Sequence, residues 1–171
     1  MSYSVESNEK LARLSAEVIK ASKARRLTLA TAESCTAGAL CFLLSHAPGG
    51  GDVLHGGFVV YTKTNKSAVL GVPEALIARH SAVSAEVARA MAQGALERCP
   101  ADVVVAITGV TGPEPDEDGN PVGLVYMAAG IRAGELFDET YRFDGASSSD
   151  VLVATLEHAL MLFSRAVAET R

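Results

Sequence analysis

The chain has 171 residues, 49% hydrophobic and 20% charged, with 15 Lys and Arg against 20 Asp and Glu for a net charge of −5. This length suits one domain spanning residues 1–171 with a sizeable core, and the apolar content excludes a disordered chain. With 5% aromatics, no Trp and no basic cluster, it offers phosphates no cation surface and bases no stacking platform, so nucleic acid is not an expected partner.

Leu11, Leu14, Val18 and Ile19 recur at helical spacing and predict an amphipathic helix within the first 25 residues. Leu27–Thr31 reads as a short buried strand. Thr36–Ser45 reads as an apolar helix, stopped by Pro48 and the glycines that follow it. Val53–Thr62 contains the β-rich run Phe58-Val59-Val60-Tyr61. A short helix around Asn65–Leu70 ends at Gly71, and Pro73 can open another. Ser84 is a good N-cap for a helix reaching about Arg98, and Asp102–Ile107 is a valine-rich buried strand. The long loop Gly109–Pro121 carries the acidic run Glu114-Pro-Asp-Glu-Asp118. Val122–Ala129 and Glu135–Phe143 read as two strands joined by a turn at Arg132–Gly134, and a helix from Ser147 to about Glu169 closes the chain. Early strand–helix alternation predicts parallel pairing, and the closing run of strands requires an antiparallel neighbour. The expected fold class is α/β: a three-layer α/β/α sandwich with one mixed, mostly parallel sheet.

No apolar run approaches the roughly 20 residues that span a bilayer, and the start, MSYSVESNEKLARL, lacks a signal-peptide core. A cytoplasmic protein with no membrane partner is expected. Cys35, Cys41 and Cys99 form no CxxC or zinc framework and read as reduced thiols, and the four histidines are scattered. Asp116, Asp118 and Asn120 have calcium-like spacing, but no downstream Glu completes the pattern, so no metal site is expected.

Three segments could carry chemistry. In Thr31-Ala-Glu-Ser-Cys-Thr-Ala-Gly38, between strand and helix, a nucleophile would face the end of the sheet beside unpaired helix amides. Ser34 is the candidate, with Cys35 a rival because helix N-termini lower thiol pKa values. Gly38 allows close helix packing, and Ser34 or Thr36 as an ordinary helix cap explains the same residues without catalysis. In Tyr61-Thr-Lys-Thr-Asn-Lys66, a lysine base must be neutral, and burial or a neighbouring cation can make it so. Lys63 and Lys66 are each candidates for that role, and Tyr61 is a proton relay or substrate contact. Solvated lysines beside an edge tyrosine are the alternative. In Ile107-Thr-Gly-Val-Thr-Gly-Pro113, glycines let backbone approach a ligand, and Thr108 is placed to contact whatever Ser34 attacks. A plain loop explains this segment equally well.

Together the segments resemble the CinA C-terminal domain family. The resemblance rests on Ala32-Glu-Ser-Cys-Thr-Ala-Gly38, Gly57-Phe-Val-Val-Tyr-Thr-Lys-Thr-Asn-Lys66 and Leu70-Gly-Val72. It continues through Ala82-Val-Ser84, Ala88–Leu96, Ile107–Pro113 and Pro121-Val-Gly-Leu-Val-Tyr126, in the family's order, over nearly the whole chain. Active members are nicotinamide mononucleotide amidohydrolases. The resemblance therefore implies Ser34 as nucleophile, Lys66 as its activating partner, and Tyr61 and Thr108 as further active-site hydroxyls. Thr36, Gly38, Lys63, Gly109 and Gly112 are the expected substrate-binding positions. It further implies a small-molecule pyridine nucleotide as partner, ammonia and nicotinic acid mononucleotide as products, no cofactor, and a homo-oligomer. The chain resembles the stand-alone form of the domain.

Three departures fall where a nucleotide phosphate could sit. Ala37 stands where the family usually has the first of two glycines, and Glu114–Asp118 replaces a glycine-rich stretch. Gly145-Ala-Ser-Ser-Ser149 stands where many members have Gly-Asp-Arg, removing a bidentate phosphate partner. For Ser147–Ser149, helix capping is preferred over phosphate binding. The alternative function is a non-catalytic nucleotide-binding or regulatory module on the same fold.

Overall fold

Larger aliphatic side chains alternate with smaller ones along the central strands, so the two faces of one sheet build unlike cores. The computed structural model describes residues 5–170. Its strands are β1 (Leu29–Glu33), β2 (Leu54–Val59), β3 (Val103–Gly109), β4 (Leu124–Ile131) and β5 (Leu136–Arg142), arranged β2-β1-β3-β4-β5. β1 pairs in parallel with β2 and β3, and β4 is antiparallel to β3 and β5, so only β4 opposes the other four. This is the expected mixed, mostly parallel sheet.

On one face, α1 (Val5–Arg25), α2 (Ala39–His46), the short α3 (Gly50–Val53) and α7 (Ser148–Glu169) cover Leu29, Val103, Val105, Ile107, Val125 and Met127. On the other, α4 (Lys63–Leu70), α5 (Glu74–His80) and α6 (Ala85–Arg98) cover Ala30, Ala32, Val104, Ala106 and Ala128. Small residues on this second face let the helices approach closely: a Cβ on Gly94 of α6 would stand 2.0 Å from the Leu70 carbonyl oxygen. Helix α7 is long and apolar enough by length and composition to cross a membrane, which corrects the reading of the sequence as having no such run. Val151, Leu156, Leu160, Phe163 and Val167 of this helix are buried among the core residues of α1 and the sheet, the placement of a core helix.

The short α3 forms on the glycines expected only to stop a helix, β2 ends at Val59 rather than Thr62 and β4 runs Leu124–Ile131 rather than Val122–Ala129; two further differences bear on the site, each for a local reason. Strand β1 starts two residues late because Leu27 is still held by the end of α1, its amide donating to the Ser22 carbonyl. It extends through Glu33, a charge that a buried strand admits only because its carboxylate is fully bonded. Helix α2 starts at Ala39, three residues late, because residues 35–38 form a turn with Ala37 at φ +50° and Gly38 at φ +94°. Gly38 thus serves the left-handed turn more than close packing. Ala37 holds the same backbone region with a Cβ, which crowds the carbonyl. Ala37→Gly is expected to stabilise the protein by about 0.5–1 kcal/mol, read as a higher urea midpoint; an unchanged or lower midpoint would show that the turn is unstrained.

Candidate active site

The carboxyl ends of the parallel strands β1, β2 and β3 lie side by side, the usual place for a ligand in an α/β sheet. Each delivers one of the three segments singled out in the sequence. Ser34 follows β1 directly, its amide donating to Ile107 of β3 at 3.0 Å. The backbone beyond β2 stays zipped to β1 through the Val60 amide and the Glu33 carbonyl, at 2.8 Å. That pairing sets the Val60 and Tyr61 carbonyls beside Ser34. Thr62 then caps α4, its hydroxyl accepting from the Asn65 amide at 3.1 Å. A Schellman pair from Gly71 and Val72 to the Ser67 and Lys66 carbonyls closes the same helix. A short helix clamped at both ends fixes the direction of Lys66 in its first turn.

Lys66 is 1% exposed, and its Nζ lies 2.8 Å from Ser34 Oγ, 3.1 Å from the Val60 oxygen and 3.4 Å from the Tyr61 oxygen. An ammonium would fill all three contacts with its three N–H bonds. A neutral amine would donate to the two carbonyls and turn its lone pair to the serine hydroxyl. Burial lowers the Lys66 pKa from 10.5 to about 8; Cys35 opposes the shift and the charge of Lys63 adds to it. The two lysines of the segment therefore have separate places. Lys63 bonds Asp118 at 2.7 Å and Glu117 at 2.9 Å, and these carboxylates hold its ammonium above the ordinary lysine value. Of the two, Lys66 is the amine on Ser34.

Cys35 lines the same cavity, but burial pushes its thiol up to about 12, so it is no thiolate at neutral pH. Thr108 is buried at the end of β3 and donates its hydroxyl proton to the Ala82 oxygen at 2.7 Å. That bond leaves lone pairs, rather than a proton, for a ligand, against the expectation that Thr108 could supply the oxyanion donor. The amide of Cys35, to which no backbone carbonyl is bonded among the described residues, directly follows Ser34 in a residue that lines the cavity and is better placed for that role. Tyr61 is 65% exposed at the cavity, and it is its carbonyl that reaches the pair, 3.4 Å from Lys66 Nζ and 3.5 Å from Ser34 Oγ.

The cavity around Ser34 and Lys66 encloses about 650 Å³ and is closed opposite by Thr108–Gly112 and Glu114–Glu117. Gly109 and Gly112 do line it. A Cβ on Gly109 would meet the Leu124 oxygen at 2.7 Å, so close strand packing also requires the glycine there. Thr36 and Gly38 are not brought to this cavity: they line an apolar groove with Phe42, Leu43, Leu152 and Leu156. The left-handed pair Ala37–Gly38 turns the chain away from Ser34 toward α7. A further cavity of about 660 Å³ lies beyond the Lys63–Asp118 ion pair and contains neither Ser34 nor Lys66. Among the described residues, no group of three or more His, Cys, Asp and Glu side chains gathers as a metal set.

Glu33 escaped the reading of the sequence. Its buried carboxylate accepts from the amides of Gly38 at 3.0 Å, Leu40 at 3.1 Å and Cys41 at 2.8 Å, and from the Thr31 hydroxyl at 3.0 Å. It is the cap of α2, in place of Ser34 or Thr36, and it holds the turn that presents Ser34. The available signal was an acid ending an apolar strand just before a helix, where a negative charge complements free amides. Ser147 caps α7 as expected, accepting from the Asp150 amide at 3.2 Å.

A model of the CinA C-terminal domain matches residues 11–167. The chain belongs to the CinA C-terminal domain family. It is 43% identical over 141 residues to the CinA-like protein of Mycobacterium marinum, covering 82% of this chain and 33% of that protein. It is 45% identical over 119 residues to the CinA-like protein of Geobacter sulfurreducens, covering 70% of this chain and 29% of that one. The chain thus spans a third or less of the length of these curated relatives. The family's solved structures match it over most of their length. The competence damage-inducible protein A of Klebsiella pneumoniae superposes with a TM-score of 0.89 at 34% identity, covering 94% of this chain and 99% of that one. The competence/damage inducible protein of Agrobacterium tumefaciens superposes at 0.88 and 33% identity, covering 94% and 96%.

Proposed function

We propose that this chain is a serine–lysine amidohydrolase that opens the carboxamide of a pyridine nucleotide, with nicotinamide mononucleotide the substrate its resemblance implies. The observation that carries the reading is the buried Lys66 amine, lowered to about 8, set 2.8 Å from Ser34 Oγ. At pH 7 roughly a tenth of such amines are neutral, enough to serve as a general base poised near the working pH.

Ser34 Oγ attacks the carboxamide carbon while Lys66 takes the hydroxyl proton. The amide of Cys35 receives the charge that develops on the carbonyl oxygen. The Thr108 oxygen, its proton given to Ala82, accepts from the carboxamide nitrogen and orients it. Lys66 returns its proton to that nitrogen, the carbon–nitrogen bond breaks, and ammonia leaves an acyl-serine. Water then attacks the ester, again giving a proton to Lys66, and the acid departs as Ser34 regains its hydrogen.

Ammonia release from nicotinamide mononucleotide by the wild type tests this reading, beside Ser34→Ala checked for folding by its unfolding midpoint. Loss of at least about 10³-fold in Ser34→Ala is expected; a variant that keeps the wild-type rate would overturn the assignment. A non-catalytic module would tolerate Ser34 and Lys66 standing apart, and their contact supports the enzyme.

A further inference from the structure

The cavity around Ser34 is walled by carboxylates. Among the described residues, Glu114, Asp116 and Glu117 line it, no arginine does, and its two amines are Lys63 and Lys66. Lys63 is already neutralised between Glu117 and Asp118, and the single charge that Lys66 carries when protonated is buried against Ser34 and two carbonyls. Glu114 is exposed and makes no ion pair with a described residue. The wall is anchored: Asp116 accepts from the amides of Asp118 and Asn120 and from the Asn120 side chain, while Ser81 bonds both Asp118 and Asn120. The helix N-terminus adjoining this loop offers an anion little. A Cβ on Gly112 would stand 2.6 Å from Ser148 Oγ, which places the start of α7 there. That start is capped by Ser147 and carries Asp150 in its first turn.

We infer that this site, read as an amidohydrolase, selects a cationic carboxamide without a phosphate: the N-ribosyl pyridinium nucleoside over its 5′-phosphate. A quaternary ring nitrogen beside the carboxylate wall gains Coulomb energy. A phosphate dianion in the same cavity meets fixed like charges and no guanidinium fork to offset them. Selection therefore operates by repelling the phosphorylated ligand as well as by attracting the cation. Glu114 and Glu117 determine the specificity, because they line the cavity without the internal loop bonds that fully engage Asp116.

The test separates binding from turnover. Calorimetry on Ser34→Ala measures nicotinamide riboside, nicotinamide mononucleotide and nicotinamide, and ammonia release by the wild type is followed with the same three compounds. The riboside is expected to bind about tenfold more tightly than either other ligand, and Glu114→Gln/Glu117→Gln should narrow the gap from the mononucleotide to about twofold. The single Glu114→Gln, at an exposed and unpaired position, should narrow it partway if the double variant does not fold. Equal or tighter binding of the mononucleotide would overturn the charge selection. Hydrolysis that also favours the mononucleotide would still leave the amidohydrolase in place. Riboside-selective binding without ammonia from any compound would remove the amidohydrolase and keep the selection, and binding of no compound at millimolar concentration would remove both.

Discussion

Lys66→Met is expected to abolish ammonia release while making the protein more stable at neutral pH. Burial holds the Lys66 amine at about 8 against an ordinary 10.5. The folded pKa lies below the unfolded one, so folding favours the neutral amine. Above the unfolded value both states are neutral and nothing is lost. As pH falls between the two values, the unfolded chain takes up a proton that the folded chain resists, and stability declines. Below about pH 8 the penalty is complete, on the order of 3 kcal/mol. Methionine fills similar volume without a charge but leaves the Val60 and Tyr61 carbonyls without their donor, which costs part of the gain. A net gain of about 1–2 kcal/mol at pH 7 is expected, vanishing near pH 9 and turning into a loss of about 1 kcal/mol near pH 10, where the missing donor outweighs the charge penalty that remains. Urea midpoints of wild type and variant at both pH values measure it. The same base predicts a wild-type kcat/KM that climbs about tenfold per pH unit up to pH 8 and then levels. A variant less stable than wild type at pH 7 would show that Lys66 is held by its hydrogen bonds rather than strained by burial.

Glu33→Gln should be among the most destabilising single changes in the chain, although no step of the reaction uses Glu33. The amides of Gly38, Leu40 and Cys41 and the Thr31 hydroxyl converge on its two oxygens in a site with no solvent exposure. Glutamine keeps one oxygen and turns an NH₂ group toward N–H donors, so at least one buried amide loses its acceptor while the charge favourable to the helix start disappears. The expected loss is about 2–4 kcal/mol. Activity should fall with it, because the turn from Ser34 to Gly38 hangs on those bonds. Hydrogen exchange at residues 38–41, followed beside the urea midpoint, reports the local release directly. Unchanged protection there would mean that the turn is held by its backbone alone.

Both residues sit in segments that were legible in the sequence, yet only one role could be read from it. Ser34 stands out because a polar residue between an apolar strand and an apolar helix falls at the end of the sheet whatever the sheet's order. Gly71 and Ser84 marked helix ends correctly because capping is decided within a few residues. Glu33 was passed over because its partners lie five to eight residues ahead, across a turn that its own carboxylate creates. Choosing between Lys63 and Lys66 was equally out of reach of spacing. Three residues apart in the first turn of α4, one points inward to Ser34 and the other outward to a loop more than fifty positions away. Thr36 failed as a site residue for a related reason: its neighbour Ala37 adopts a left-handed backbone, which composition disfavours and only the surrounding packing enforces.

The sequence by itself determined the kinds and order of the elements apart from the short α3, the mixed sheet, and the candidate serine with its nearby amines, because hydrophobic period, caps and breakers act over one or two turns of chain. The tertiary structure decided which amine meets the serine, where the Thr108 proton goes, what caps α2 and which charges wall the cavity. Those outcomes depend on the register of three parallel strands and on burial. Both are set by residues distant in sequence, and burial gives one lysine a depressed pKa while two loop carboxylates hold its neighbour as a cation.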